Sequence, residues 1–374
     1  AVLYDEGYIA NPLVFCGCVG RVLRGYDAIG EPRVGDQIVV IGGATGRDGI
    51  KGATFSSMTV DASTGSVAGA AVQIGDPIVE RLVGEVLVDL LDREVPLCTS
   101  LTDCGAGGTS CSIAEMAREC GGCRVELDKV PLKYPNLEPW KIWISESQER
   151  ITLSVPPEKI DQFLALMGKR GVEATVVGEF TAETRCEVNY NNEKIMDLDM
   201  EFLHDGLPNK HLKGTYLKPQ NPEPNFQEPD LTDALHTMLS RKNICSFEFI
   251  SRQYDHNVQG GSVLKPLQGK GAVNATATIT KPFPETTRGI ICSQGINPIY
   301  SAIDTYHMSA CAIDTAIRNA VAVGADVDYM ALMDNFCWCS SDEEQSLGEL
   351  KEAVRACYEY AIAYGTPYIS GKDS

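Results

Sequence analysis

The chain has 374 residues, 44% apolar and 22% charged, which is ordinary for a water-soluble protein and enough for two domains with real cores. Its formal net charge of -19 argues against nucleic acid or an anionic membrane as a partner, since neither is attracted to such a surface. No apolar run approaches the roughly 18 residues of a membrane span, no secretory signal opens the sequence, and the cysteines are scattered rather than grouped, so a cytoplasmic protein with reduced thiols is expected.

In chain order, an apolar strand is expected at Leu13 to Val19, followed by a turn-rich stretch, Gly25 to Gly35. A second strand, Gln37 to Ile41, runs into Gly42-Gly43-Ala44-Thr45-Gly46-Arg47-Asp48-Gly49-Ile50-Lys51-Gly52-Ala53. That glycine spacing is neither the P-loop nor the dinucleotide pattern, so neither mechanism can be borrowed. Next come Val72-Gln73-Ile74-Gly75-Asp76-Pro77 and a helical run, Pro77 to Leu91. A strand at Leu97 to Leu101 then meets Thr102-Asp103-Cys104-Gly105-Ala106-Gly107-Gly108-Thr109-Ser110, and a helix follows at Ile113 to Arg118. Glycines at a strand-to-helix junction let backbone N–H groups approach a phosphate with no Cβ in the way, and an adjacent aspartate can hold the accompanying Mg2+. A tight turn in which Asp103 serves only as a helix cap is the alternative.

Ser145-Glu146-Ser147-Gln148-Glu149-Arg150 gathers acids, an amide and hydroxyls just before the strand Ile151 to Val155; a ligand site or a strand-entry hydrogen-bond cluster would both use these residue types. A helix at Pro157 to Arg170 and a strand at Ala174 to Phe180 complete this part. The proline- and asparagine-rich stretch from about Glu201 to Asp230 has the composition of a surface linker. A second unit begins at Leu231, with helices at Leu231 to Arg241, Tyr306 to Val323 and Leu347 to Tyr364, and strands at Ala272 to Thr280, Gly289 to Ser293 and Tyr329 to Asp334. The fold class expected is α/β (α+β), with mixed sheets, flanking helices and glycine-rich phosphate loops. Cys120 and Cys123 have zinc-ligand spacing but no second pair, and Gly121-Gly122 between them has the character of a helix stop. Cys16, Cys18, Cys337 and Cys339 are expected as small apolar residues, and His256 and His307 as hydrogen-bonded structural residues rather than a general base or a ligand.

The ordered set GGATGRDGIKGA, VQIGDP, TDCGAGGTS and SESQER, then RQYDH at Arg252 to His256, INP at Ile296 to Pro298, AIRNAVAVGAD at Ala316 to Asp326 and SGKDS at Ser370 to Ser374, resembles the formylglycinamide ribonucleotide amidotransferases, the synthetase part of the phosphoribosylformylglycinamidine synthase family. The resemblance covers nearly the whole chain. It implies aminoimidazole-ribonucleotide-synthetase-like domains: residues 1–33 as the tail of a preceding N-type domain, 34–187 as a complete C-type domain, 188–230 as a linker, and 231–374 as a second N-type domain truncated at its end. Residues 1–33 are then expected to dock on the second N-type domain, beside a sheet edge that would otherwise stand open.

The reaction implied is ATP, formylglycinamide ribonucleotide and ammonia from glutamine giving formylglycinamidine ribonucleotide, ADP and phosphate, with a glutaminase domain or subunit as partner. By the same resemblance Asp103 is a Mg2+ ligand; Gln73, Glu146, Ser147, Gln148 and Ser374 bind substrate; and Asp334 and Gly371 contact the nucleotide ATP. The pair Lys372 and Asp373 varies within the family. No catalytic residue is assigned, because the family's histidine falls in a domain outside this sequence, which is expected to be an internal piece of a longer enzyme. Thr315 stands where relatives often carry an acid, which implies a degenerate metal position. Another ATP-using enzyme of the superfamily, such as an aminoimidazole ribonucleotide synthetase, would share the C-type domain but not SESQER followed by RQYDH. A non-catalytic, nucleotide-holding half is the other alternative.

Overall fold

Strand β1, Gln37–Gly42, shows why the first part of the chain folds in layers. Its side chains alternate between two buried cores: Ile38 and Val40 enter one, Val39 and Ile41 the other. A strand that is apolar on both faces must be covered on both. The computed structural model describes residues 2–8, 13–21, 30–58, 64–225, 230–257 and 259–373, and the chain divides into two compact units, Val22–Asn209 and Ala1–Arg21 with Lys210–Ser374.

In the Val22–Asn209 unit, β1 is joined by β2 (Ser100–Asp103), β3 (Gly122–Glu126), β4 (Arg150–Val155), β5 (Ala174–Thr181), β6 (Arg185–Tyr190) and β7 (Glu193–Asp199) in one sheet of order β2-β4-β1-β5-β3-β6-β7. All neighbours are antiparallel except β3 and β6. Short helices α1 (Gly52–Ser56) and α2 (Thr64–Val67) precede α3 (Pro77–Leu91). Helix α3 is started by Asp76, whose carboxylate accepts from Ile78 N at 3.1 Å and Val79 N at 3.3 Å, with Pro77 in its first turn. Val83, Val86 and Leu90 of α3 and Phe163, Leu166 and Met167 of α6 (Ile160–Arg170) cover the face that holds Val39 and Ile41. Ile113, Met116 and Ala117 of α4 (Thr109–Cys120) and Ile142 and Trp143 of α5 (Pro139–Ile144) cover the opposite face. Helix α7 (Met200–Asp205) buries Met200 in that second core.

These elements correct several expectations. The expected break at residue 188 cuts through the β6–β7 hairpin, in which Val188 pairs with Met196 and Arg185 with Asp199. Strand β7 is an edge strand with largely exposed side chains, so its composition is that of a linker although its backbone is paired. The linker cannot begin at Glu201 either, because α7 occupies Met200–Asp205 with Asp199 accepting from Phe202 N at 3.1 Å. Residues 206–225 carry no helix or strand. Strand β2 starts three residues later than Leu97, which instead sinks into the core beside Val86 and Leu90. No strand forms at Leu13 to Val19, where Val14, Phe15 and Val19 are exposed; an apolar run without a partner edge has no ladder to join.

The other unit contains α8 (Leu231–Leu239), α9 (Glu248–Ser251), α10 (Thr305–Ala322) and α11 (Glu344–Tyr364). Strands β8 (Ser262–Leu264), β11 (Ala277–Thr280) and β12 (Ile290–Ser293) form an antiparallel sheet, β9 (Leu267–Gln268) pairs with β10 (Val273–Asn274), and β13 (Leu332–Phe336) runs parallel to β14 (Tyr368–Asp373). The single strand expected at Ala272 to Thr280 is two, and the one expected at Tyr329 to Asp334 starts at Leu332, because Tyr329 stands 91% exposed in a turn. Helices α10 and α11 pack together, burying Ala310, Ile313, Ile317, Ala353 and Ala356. The segment Ala1–Arg21 belongs to this unit: Tyr4 N donates to Asn243 Oδ1 at 2.6 Å, Asn243 Nδ2 donates to Tyr4 O at 2.9 Å, and the Arg21 guanidinium lies 4.1 Å from the centre of the Phe283 ring.

Proteases are expected to cut first within residues 206–225, where no backbone ladder protects the chain. Mass spectrometry of the early fragments checks this, and first cuts inside α3 would contradict it.

Candidate functional site

The segment 145–150 is held from behind by the side chain at its end. Arg150 is 3% exposed; its Nε donates to Ser147 O at 2.8 Å, one terminal nitrogen to Thr45 Oγ1 at 2.9 Å, and the other to Ser145 O. Burial pulls the guanidinium below its usual range, while Cys104 and Asp48 act in the opposite direction. The serines complete the lock. Ser145 Oγ donates to Gly46 O at 2.9 Å, and Ser147 Oγ accepts from Gly46 N at 2.9 Å. Because Gly42 pairs with Arg150 at the end of the β1–β4 ladder, the glycine-rich loop leaves β1 directly over this segment.

Between the two serines, Glu146 is 2% exposed, and three sequence motifs converge on its carboxylate. Oε1 accepts from Gly107 N at 3.0 Å, in the turn after β2, and from Ala53 N at 3.2 Å, in α1. Oε2 accepts from Ala53 N at 3.1 Å and from Gln73 Nε2 at 2.8 Å. Buried carboxylates are costly unless hydrogen-bonded, and this one is bonded on both oxygens. Two glycines make the approach possible. Gly108 has φ 59 and ψ -138, and a Cβ there would meet Ser145 O at 1.8 Å; at Gly52 a Cβ would meet Glu146 Oε2 at 2.5 Å. Gln148 Nε2 donates back to Glu146 O at 3.1 Å.

Asp103 ends β2 and is exposed, and among the described residues its carboxylate accepts no hydrogen bond. It does not cap α4: the cap position is Gly108, with no side-chain cap bond. Behind the turn, Ser112 Oγ and Thr152 Oγ1 lie 2.8 Å apart and Cys104 Sγ lies 3.1 Å from Thr152 Oγ1, a buried knot that pins β2, α4 and β4 together. The Cys111 thiol is pushed up to about 12, first by burial, then by its hydrogen bond to Glu115, and further by the charges of Glu115, Asp103 and Glu146, so both site carboxylates lie near it. Among the described residues no group of three or more His, Cys, Asp or Glu side chains is arranged to hold a metal. Cys120 and Cys123 flank the C-terminal cap Gly121, and Cys123 Sγ faces Cys186 Sγ at 3.6 Å.

In the other unit, Asp334 of β13 pairs directly with Gly371 of β14, so close that a Cβ at Gly371 would overlap the aspartate oxygen. Burial, and then the charge of Asp373, raise the Asp334 carboxyl above its usual range. Ser374 lies outside the described residues. A ring nitrogen of His256 pairs with Ser251 O at 3.3 Å, and His307 Nδ1 lies 3.2 Å from Asp304 Oδ1, the carboxylate that starts α10.

Sequence reasoning therefore names Gln73, Glu146, Ser147 and Gln148, which the structure brings together, and Asp103 on the adjoining turn. It passes over Arg150, Ser145 and Thr45 as individual residues. The missed signal is an arginine as first residue of a strand with no other charged residue, where its charge requires partners.

Comparison with known proteins follows the same division. Residues 33–191 match the C-terminal domain of AIR synthase related proteins, and residues 274–374 match the N-terminal domain of the same group. All of the chain aligns with the phosphoribosylformylglycinamidine synthase subunit PurL of Thermoplasma acidophilum at 33% identity, covering 49% of that protein, and with that of Methanothermobacter marburgensis at 33%, covering 51%. The chain thus spans about half the length of these relatives. Among solved structures, Thermotoga maritima PurL complexed with FGAR superposes with a TM-score of 0.70 at 27% identity, over 92% of this chain and 52% of that one. The same protein complexed with ATP gives 0.66 at 25% identity, over 92% and 50%. The chain belongs to the AIR synthase related family, in the branch of the phosphoribosylformylglycinamidine synthase subunit PurL.

Proposed function

We propose that the chain is part of an ATP-dependent carbon–nitrogen ligase that converts formylglycinamide ribonucleotide, ATP and ammonia to formylglycinamidine ribonucleotide, ADP and phosphate. One observation carries the reading: the Glu146 carboxylate draws the loop 42–53, Gln73 and the turn 102–110 onto the 145–150 segment. The likeness to a PurL complexed with FGAR supports that substrate, and the likeness to one complexed with ATP supports the nucleotide. Gln73, Glu146, Ser147, Gln148 and Ser374 are the substrate-binding set in this reading. Asp334 and Gly371 serve the nucleotide. Ammonia would come from a glutaminase domain or subunit, in the cytoplasm.

Asp103 fits Mg2+. The ion commonly binds through one or two carboxylates and substrate phosphates and keeps several waters, and Asp103 offers one exposed carboxylate with no hydrogen bond of its own among the described residues. Bound there, Mg2+ would neutralise phosphate charge. The domain division that suits this function places a C-type domain at about 34–205 and an N-type domain from about 231 onward, joined by the segment between.

Calorimetry with formylglycinamide ribonucleotide and with Mg-ATP tests the reading: both are expected to bind. Asp103→Asn is expected to lower Mg2+-dependent affinity about tenfold, equivalent to roughly 1.4 kcal/mol, without lowering the melting temperature. Unchanged Mg2+-dependent binding in that variant would remove the metal assignment.

A further inference from the structure

Both oxygens of the Glu146 carboxylate accept from protein donors, and that constrains what Gln73 can offer a ligand. An ionised carboxylate only accepts hydrogen bonds, so the Gln73 amide must turn its NH2 toward Glu146 Oε2, as it does at 2.8 Å. Its carbonyl oxygen then points elsewhere. Gln73 is an exposed residue, and among the described residues no donor reaches that oxygen. We infer that Glu146 is a positioning residue that fixes the polarity of Gln73, so that the site presents a hydrogen-bond acceptor there and selects a ligand carrying a donor, an amide N–H or a ribose hydroxyl. This deepens the proposed function and rests on it.

The geometry also supplies the test. Glu146 Oε1 reaches Gly107 N at 3.0 Å and Ala53 N at 3.2 Å, so exchanging the atom that faces Gln73 keeps one bond to each backbone donor and gives up only the 3.1 Å bond from Ala53 N to Oε2. In the double variant Glu146→Gln with Gln73→Glu, the new amide at 146 donates to the new carboxylate at 73. Net charge is unchanged, and position 73 still turns an acceptor outward. Gln73→Glu alone sets two carboxylates against each other. Glu146→Gln alone lets the amide at 73 turn over.

Binding of formylglycinamide ribonucleotide would be measured by calorimetry on the full chain and these three variants, with circular dichroism to confirm that each is folded. Each single variant is expected to bind at least about tenfold more weakly, and the double variant within about threefold of the wild type. A double variant as weak as Gln73→Glu, beside a wild type that binds, overturns the inference while leaving the proposed function intact. A wild type that does not bind this ribonucleotide overturns the proposed function and the inference with it.

Discussion

Replacing Arg150 by methionine is expected to cost about 3–5 kcal/mol of stability, because three buried neutral acceptors each lose their donor, at roughly 1–3 kcal/mol apiece. The methionine retains much of the side chain's length, but it cannot donate. Ser147 O, Ser145 O and Thr45 Oγ1 each lose the bond they now receive, in a place closed to water. For a unit the size of Val22–Asn209, a loss of that order lowers the melting temperature by on the order of 10 °C. Arg150→Lys is expected to fall between, since one ammonium cannot span three acceptors in the plane of a guanidinium. Thermal unfolding followed by circular dichroism reads the effect. A drop smaller than about 3 °C for the methionine variant would show that the segment reorganises and finds other donors.

How much of this was legible in the sequence depends on what each residue's job is. Motif order was enough to name the family and to mark Gln73, Glu146, Ser147, Gln148 and Asp103, because those residues sit in the motifs that carry the resemblance, although the composition of each stretch taken alone also suits an ordinary turn. The direction of their side chains was not legible. Glu146 and Ser147 point inward to protein donors and Gln73 reaches across from another motif, since spacing along the chain does not report which loop folds over which. Strong apolar periodicity located α3, α6, α10 and α11 to within a few residues. Strands β3, β6 and β7 escaped because β3 follows a helix with no intervening loop, β6 alternates polar and apolar residues over only six positions, Arg185 to Tyr190, and β7 carries glutamate, lysine and aspartate on an exposed edge. What fixes those strands is pairing with segments distant in sequence, such as Cys123 with Cys186, and local propensity does not contain that information.

A methyl group at Gly108 is expected to do more damage to the site than any other single added carbon. Its φ of 59 with ψ of -138 lies where side chains are strained, at roughly 1–3 kcal/mol. The larger problem is space: the new Cβ would stand 1.8 Å from Ser145 O and 2.7 Å from Ser145 C, which are backbone atoms held by Arg150. Neither side can yield cheaply, so Gly108→Ala should displace the turn 104–108 and break the bond from Gly107 N to Glu146. Loss of formylglycinamide ribonucleotide binding is expected, with a melting temperature lower by several degrees. Gly84→Ala provides the opposite sign. Gly84 lies inside α3 with nothing within 4 Å of the added carbon, so alanine there should stabilise by about 0.5–1 kcal/mol through the unfolded chain's lost freedom and leave binding alone. If both variants melted and bound alike, close backbone approach at Gly108 would not be what shapes the site.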